Sequence, residues 1–286
     1  MAKLNVKENL KNVIGLMMVL GIWPRESPST LYIIRGSTLM FLLALFTATI
    51  IVQALKFVDV ESTSFGLCVV MAALHCIIKY VFLYTKRQHV FNLMRMLDEP
   101  ILSVHDDHLF IYLTDKLKMC RLWEYVYFYC AVATAILINT IKMLNMKSPR
   151  SLPVPFPIDM EKQSFLVFVS VWLFEGITMI FGCASIACFD SLLFFFIAIA
   201  AAELRILREK ITEATDFQKS DSRTMQILDF DDIVNNRLKD CIKQHVAIER
   251  YIPIASIDFG IIALFFVTAS TELTMFCAAG NEVTLQ

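Results

Sequence analysis

Four ionisable side chains lie inside long apolar runs of this sequence, and they are the first candidates for chemistry. His75 and Lys79 stand at i and i+4, on one face of a helix. Glu175 and Asp190 belong to a later run. An ionisable group in apolar surroundings is expensive, so each one points to a ligand cavity, a polar network between helices, or an interface. Two of the four have a simpler expectation. The long stem of Lys79 lets its ammonium snorkel to the inner interface. Asp190 comes late in its run, in a part expected to project beyond the hydrocarbon. Glu175 has no such exit. It is about ten residues, or about 15 Å, into its helix and is expected to face protein or water.

A second pattern is aromatic. Phe165, Phe168 and Trp172 follow i, i+3, i+7 spacing, which would line one wall of an apolar small-molecule pocket and would equally serve packing or lipid contact. A third pattern, His105-Asp106-Asp107-His108, has the residue types of a metal site. Adjacent residues cannot converge on one ion from a regular helix, so a solvated loop is expected and no metal or other cofactor is implied. No nucleophile elbow, phosphate-binding loop, HExxH or dinucleotide-binding glycine pattern is present. The chain is not expected to be an enzyme.

The elements that must position these residues are membrane helices. Hydrophobic residues make up 57% of the 286, charged residues 19%, and the mean hydropathy is +0.61. A soluble domain is about 45–50% apolar and about 25% charged, so the bilayer has to act as solvent for the excess. The net charge of −1 gives no ground for a nucleic-acid partner. Eight cysteines are scattered without a CxxC pair, and those inside apolar runs read as small hydrophobes rather than disulfides. No Asn-x-Ser/Thr sequon occurs. The first long apolar run, of about 25 residues, exceeds the 7–15 of a cleaved signal and reads as a retained span.

A helix needs roughly 20 apolar residues to cross the hydrocarbon. The first span is expected over Leu39–Leu55, with flanks from about Leu31. The second is Phe65–Tyr84. The third is Trp123–Leu144, opening on Tyr125, Tyr127 and Tyr129, aromatic residues suited to a membrane interface. The fourth run, Phe165–Ala202, has about 38 residues, roughly 57 Å of helix against a core of about 30 Å, and is expected to project well outside it. Ile254–Ala279 offers one more span, and Leu10–Trp23 is too short to cross and reads as interfacial. Lys and Arg concentrate in the N-terminal segment, in Thr85–Arg121 and in Arg205–Arg250. By the positive-inside rule those parts, and the N-terminus, are cytoplasmic. Leu204, Leu207 and Ile211 carry helical spacing past the fourth span, which predicts a cytosolic helical bundle over Arg205–Tyr251. Three prolines in Pro153-Val154-Pro155-Phe156-Pro157 predict a stiff, extended loop. The resulting organisation is an all-α, polytopic membrane helix bundle. Residues 1–30 form a cytoplasmic or interfacial segment, 31–202 a four-helix membrane region, 203–252 cytosolic helices, and 253–286 a partial membrane helix.

Several stretches, in order, resemble the insect odorant receptor family. They are Gly21-Ile22-Trp23-Pro24 before the first span, Leu152–Asp159 before the fourth, and Asp190-Ser191-Leu192 with Glu203-Leu204-x-x-Leu207 at the end of the fourth helix. The family commonly has Gln in place of Glu203. Leu238-x-x-Cys241-Ile242-x-x-His245-x-x-Ile248 and Phe276-Cys277-x-x-Gly280-Asn281-Glu282-Val283 complete the set. The resemblance implies a seven-helix subunit of a ligand-gated cation channel. Such a subunit forms hetero-tetramers with an odorant co-receptor in the plasma membrane of olfactory sensory neurons, with 203–252 as anchor and 31–202 as ligand-binding bundle.

The ligand it implies is a small volatile apolar molecule bound in the outer half of the bundle. Approximate depth then singles out Met71 and Ile138 as pocket walls, and the aromatic stripe singles out Phe168 and Trp172. The sequence departs from the family in one respect. Only about 25 residues separate Tyr251 from Cys277, where two spans need about 40. Part of helices five and six and the pore helix is therefore expected to be missing, and the chain to be incomplete. The competing classes are a gustatory receptor-like chemoreceptor, a G-protein-coupled receptor and a small transporter. The second is opposed by the charge pattern and by the lack of an Asp-Arg-Tyr or Asn-Pro-x-x-Tyr motif. The third is opposed by the lack of an internal repeat.

Overall fold

The computed structural model describes residues 2–25, 27–56, 60–144, 152–154, 156–158, 160–220 and 235–251. The last apolar run, Ile254–Ala279, and the Cys277–Val283 motif lie outside them. The described residues are almost wholly helical, and four helices are long and apolar enough to cross a membrane. They fall into two compact units.

One unit contains the described residues of Val13–Arg87 and Glu124–Asp190. It opens with α2 (Lys11–Leu20), the short helix expected over Leu10–Trp23. Gly21 ends α2. Its φ of 78° is in the left-handed region, which glycine enters without a Cβ clash. The Ile22 N–H then reaches back to the Met17 carbonyl at 3.0 Å. The Tyr32 hydroxyl donates to the Trp23 carbonyl at 2.7 Å, and the Arg25 and Arg35 guanidinium groups lie 4.7 and 5.4 Å from the Tyr32 ring centre.

The Gly21-Ile22-Trp23-Pro24 motif is thus a turn welded to the start of α3 (Thr30–Ala54), whose first turn is capped by the Ser29 hydroxyl. A Cβ on Gly36 would lie 2.4 Å from the Gly21 carbonyl oxygen, so only glycine permits this approach. Gly36→Ala is therefore expected to cost about 3 kcal/mol by overpacking. Gly15→Ala, on open space in α2, should be neutral or stabilising by about 0.5–1 kcal/mol. Thermal unfolding of the two variants in detergent checks the contrast.

α3 packs along α4 (Val60–Thr85), with Gly66 lying against Ile50. α3 turns Leu31, Ile34, Phe41 and Val52 outward. An apolar outer face of that extent suits lipid and not water. The membrane parts of α7 (Asp107–Leu144) and α8 (Phe165–Ser220) belong to the same unit through residues 124–144 and 165–190. Of the four spans α8 is the most buried. Gly182 of α8 rests on Leu43 of α3, and Phe174 meets Phe46 edge to face.

The other unit contains the described residues of Met1–Asn12, Gln88–Trp123 and Ser191–Ile261. It holds an exception to the all-α expectation. β1 (Ala2–Lys3) pairs antiparallel with β2 (Val104–His105), and the Leu4 N–H donates to the Ser103 carbonyl at 2.7 Å. α1 (Val6–Asn9) is capped by the Asn5 side chain. The basic stretch Thr85–Arg121, expected as the loop between the second and third spans, instead contains α5 (Arg87–Leu97), α6 (Pro100–Ser103) and the start of α7. α5 is amphipathic and buries Val90, Leu93, Met94 and Leu97 at i, i+3, i+4, i+7 spacing. Beyond residue 202 α8 continues to Ser220, as the Leu204–Leu207–Ile211 spacing implied. A further helix, α9 (residues 235–251), completes a small core in which Leu207, Cys241 and Ile248 cluster with Leu102.

Candidate functional site

The four expected pocket residues all fall in the unit of Val13–Arg87 and Glu124–Asp190. Phe168 is buried, while Met71, Ile138 and Trp172 are half-buried. The Trp172 indole N–H donates to the Asn139 carbonyl at 3.3 Å, which brings Trp172 of α8 to the turn of α7 that carries Ile138. Asn139 is the neighbour that the aromatic stripe did not reveal. Its Nδ2 donates to the Ala135 carbonyl at 2.8 Å and reaches the Met179 sulfur at 3.6 Å. Its Oδ1 lies against Gly176, where a Cβ would approach to 3.4 Å. A polar residue within the apolar run of the third span was the available signal.

Two parts of the expectation change. Phe165 is 64% exposed, so the stripe contributes Phe168 and Trp172 only. Phe165 begins α8, before any neighbouring helix covers it. Met71 sits on α4, one turn before His75, and no hydrogen bond or ring contact among the described residues ties it to the other three. Glu175 follows Trp172 by one turn on the same face and is wholly buried. Its Oε2 accepts the Val154 N–H at 3.4 Å, so the proline-rich loop lies over it. Lys56 donates to the Pro157 carbonyl of that loop at 2.9 Å.

A second cluster lies about 30 Å further along α8 from Phe168. Lys79, expected to snorkel to the inner interface, is instead buried, with Asp190 as its partner. Lys79 is 3% exposed and its ammonium pairs with Asp190 Oδ1. The Tyr127 hydroxyl donates to Asp190 Oδ2 at 3.1 Å, and the ammonium is 5.1 Å from the Phe189 ring centre. Three helices therefore converge on one carboxylate, and a paired charge costs far less in an apolar bundle than a single one. Beside it Met17, Ile22, Met40, Cys76, Lys79 and Phe189 help to line a cavity of about 10 Å³. That is the lower limit of room for one water, and none of the four expected pocket residues lines it.

The His105–His108 motif divides between two partners in the other unit. His105 Nε2 lies 2.9 Å from Glu203 Oε1, deeply buried, and His108 Nε2 lies 2.9 Å from Glu213 Oε1 at the surface. The Glu203 carboxylate also accepts from Gln244 Nε2 at 3.0 Å, and Lys210 donates to Gln244 Oε1 at 2.8 Å. Among the described residues no three His, Cys, Asp or Glu side chains gather as a metal site, and the cysteines there are free.

Comparison with known proteins agrees with this architecture. The profile of the family described as 7tm Odorant receptor matches residues 59–262. The structure of the insect olfactory receptor OR5 from Machilis hrabei aligns with a TM-score of 0.70 at 13% identity, covering 96% of this chain and 70% of that one. The same receptor in complex with eugenol aligns at 0.72 and 13%, with the same coverage. At that identity the likeness shows the fold. No curated protein sequence matches the chain.

Proposed function

Because this chain belongs to the 7tm odorant receptor family, we propose that it binds small volatile organic molecules at the seam between α7 and α8 marked by the Trp172–Asn139 hydrogen bond, with Phe168 and Ile138 as further walls. The reading is that of an odorant receptor subunit in the plasma membrane of olfactory sensory neurons. It forms a ligand-gated cation channel together with a co-receptor subunit, its N-terminus is cytoplasmic, and residues 203–252 act as the cytosolic anchor.

The observation that carries the reading is the family match over residues 59–262. The structure of a receptor of the same fold with eugenol bound supports a ligand of this class. The seam has the right chemistry, with two large aromatic rings and few polar groups, so burial of apolar ligand area would supply most of the affinity.

The test is expression with a co-receptor subunit and current recording across an odorant panel. Trp172→Ala should raise the half-activating concentration of its best ligand about tenfold, the loss of roughly 1.5 kcal/mol of apolar contact, at unchanged surface level. Unchanged potency would remove the seam as the site. An N-terminal tag that is stained in intact cells would overturn the orientation.

A further inference from the structure

We propose that Arg25 and Arg35 bind the headgroup phosphate of an anionic phospholipid at the membrane surface, with Tyr32 as the plate that holds both guanidinium groups. The inference goes beyond the odorant reading and concerns a second ligand class.

The two arginines come from different segments, Arg25 from the turn after α2 and Arg35 from α3. Their guanidinium carbons lie 4.7 and 5.4 Å from the Tyr32 ring centre. Both Nη2 atoms end on one residue, since that of Arg25 donates to the Met18 sulfur at 3.1 Å and that of Arg35 to the Met18 carbonyl. Tyr32 is itself fixed, being buried and bonded to the Trp23 carbonyl. The close approach of Gly21 to Gly36 holds the two backbones together. Like charges are thus gathered on one ring, and no ion pair among the described residues includes either of them. Both residues are exposed. A guanidinium has five N–H donors, of which the Met18 contacts use one group apiece. The remaining donors form planar forks of the kind that match a phosphate.

The surroundings decide which phosphate. Arg35 lies on the second turn of a helix apolar enough to cross a membrane, about 8 Å from its start. Leu31, Ile33 and Ile34 beside it are 80%, 51% and 55% exposed. A free phosphate gains nothing from that apolar border, whereas the acyl chains of a lipid do. The long arginine stem lets the charge reach headgroup level while the border meets the chains. With the N-terminus cytoplasmic, as proposed above, the site faces the leaflet that carries anionic lipid. Phosphatidylglycerol presents a phosphate with no cation of its own, and phosphatidylcholine brings a choline that competes with the two arginines.

The experiment uses the full chain purified in detergent, with dioleoyl phosphatidylglycerol and dioleoyl phosphatidylcholine as probes and bound lipid counted by native mass spectrometry. The wild type should bind phosphatidylglycerol at least about tenfold more tightly than phosphatidylcholine. The double variant Arg25→Gln, Arg35→Gln should lose that preference, and each single change should lose part of it. Arg95→Gln, at an exposed arginine of the other unit, should keep it. Equal binding of the two lipids by the wild type overturns the inference. So does a double variant that keeps the preference, or an equal loss in Arg95→Gln, which would show an effect of net charge without a site. Inorganic phosphate at the concentration of the lipid should not displace it, and displacement overturns the assignment to lipid. Should the double variant not fold, Arg25→Gln, which lies outside every helix, decides by the same comparison, and an intact preference in it overturns the inference.

Discussion

Asp190→Ala is expected to lower the unfolding free energy by about 3 kcal/mol, and Tyr127→Phe by only about 1. The difference follows from what each change leaves behind. Lys79 is buried on α4 and its ammonium pairs with Asp190 of α8, while Tyr127 of α7 donates to the other carboxylate oxygen. Without Asp190 the ammonium is a single charge in an apolar bundle, and it must deprotonate or drag the helix end toward water. Loss of the Tyr127 hydroxyl removes one hydrogen bond and leaves the ion pair intact.

The pair itself need not be net stabilising against an apolar substitute. The double variant Lys79→Met, Asp190→Leu should accordingly recover most of the stability lost in Asp190→Ala. Thermal unfolding of the four proteins in one detergent measures this. An Asp190→Ala protein as stable as wild type would mean that Lys79 finds water without Asp190, as the sequence alone suggested.

The second large effect is expected at Glu203. Its two carboxylate oxygens take His105 and Gln244, and Lys210 extends the chain through Gln244. Glu203→Ala leaves Gln244 Nε2 without its carboxylate partner and His105 Nε2 with the Leu102 carbonyl alone, and is expected to cost about 2–4 kcal/mol. Glu203→Gln should cost about 1 kcal/mol. Its amide keeps one acceptor but turns an N–H toward one of the two neighbours. The loss has a local signature. Gln244 and Tyr251 both belong to α9, and the Tyr251 hydroxyl donates to the Phe196 carbonyl at 2.9 Å. Burial first, and then the charge of Glu203, push the Tyr251 phenol well above its usual range. Hydrogen exchange should therefore show residues 235–251 losing protection in Glu203→Ala before α4 does. Equal loss across the chain would show that the network does not hold α9 specifically.

The parts of this architecture that were legible in the sequence are those that hydropathy reports. Leu39–Leu55 falls inside α3 to within one residue and Phe65–Tyr84 inside α4, because a membrane span is a continuous apolar window. The start of α7 was not legible in that way. Asp107–Leu122 is helix, yet Asp115, Lys116, Lys118 and Arg121 dilute its hydropathy, so the third span was expected to begin at Trp123. α5 shows the same effect, since its buried face of Val90, Leu93, Met94 and Leu97 is one stripe among charges.

In the candidate site, the burial of Glu175 could be read from its depth in a single helix. The partner of Lys79 could not, because 111 residues separate it from Asp190 and spacing within one helix carries no information about the next. For the same reason the proximity of Gly21 and Gly36 is visible only once two helices are in place.

The pairing of Ala2–Lys3 with Val104–His105 has a consequence for biosynthesis. The first strand leaves the ribosome long before its partner. His105 in turn is made 98 residues ahead of Glu203, an interval of about 5–20 s at ordinary rates of synthesis. Throughout it, Leu102 of α6 has neither Leu207 of α8 nor Cys241 and Ile248 of α9 to pack against it. Nascent chains paused short of residue 203 should then remain protease-sensitive across residues 88–105, and release of the pause should protect them. The fold thus makes the order of synthesis a constraint, because Leu102 and His105, beside the first strand's partner, find their own partners only in residues 203–251.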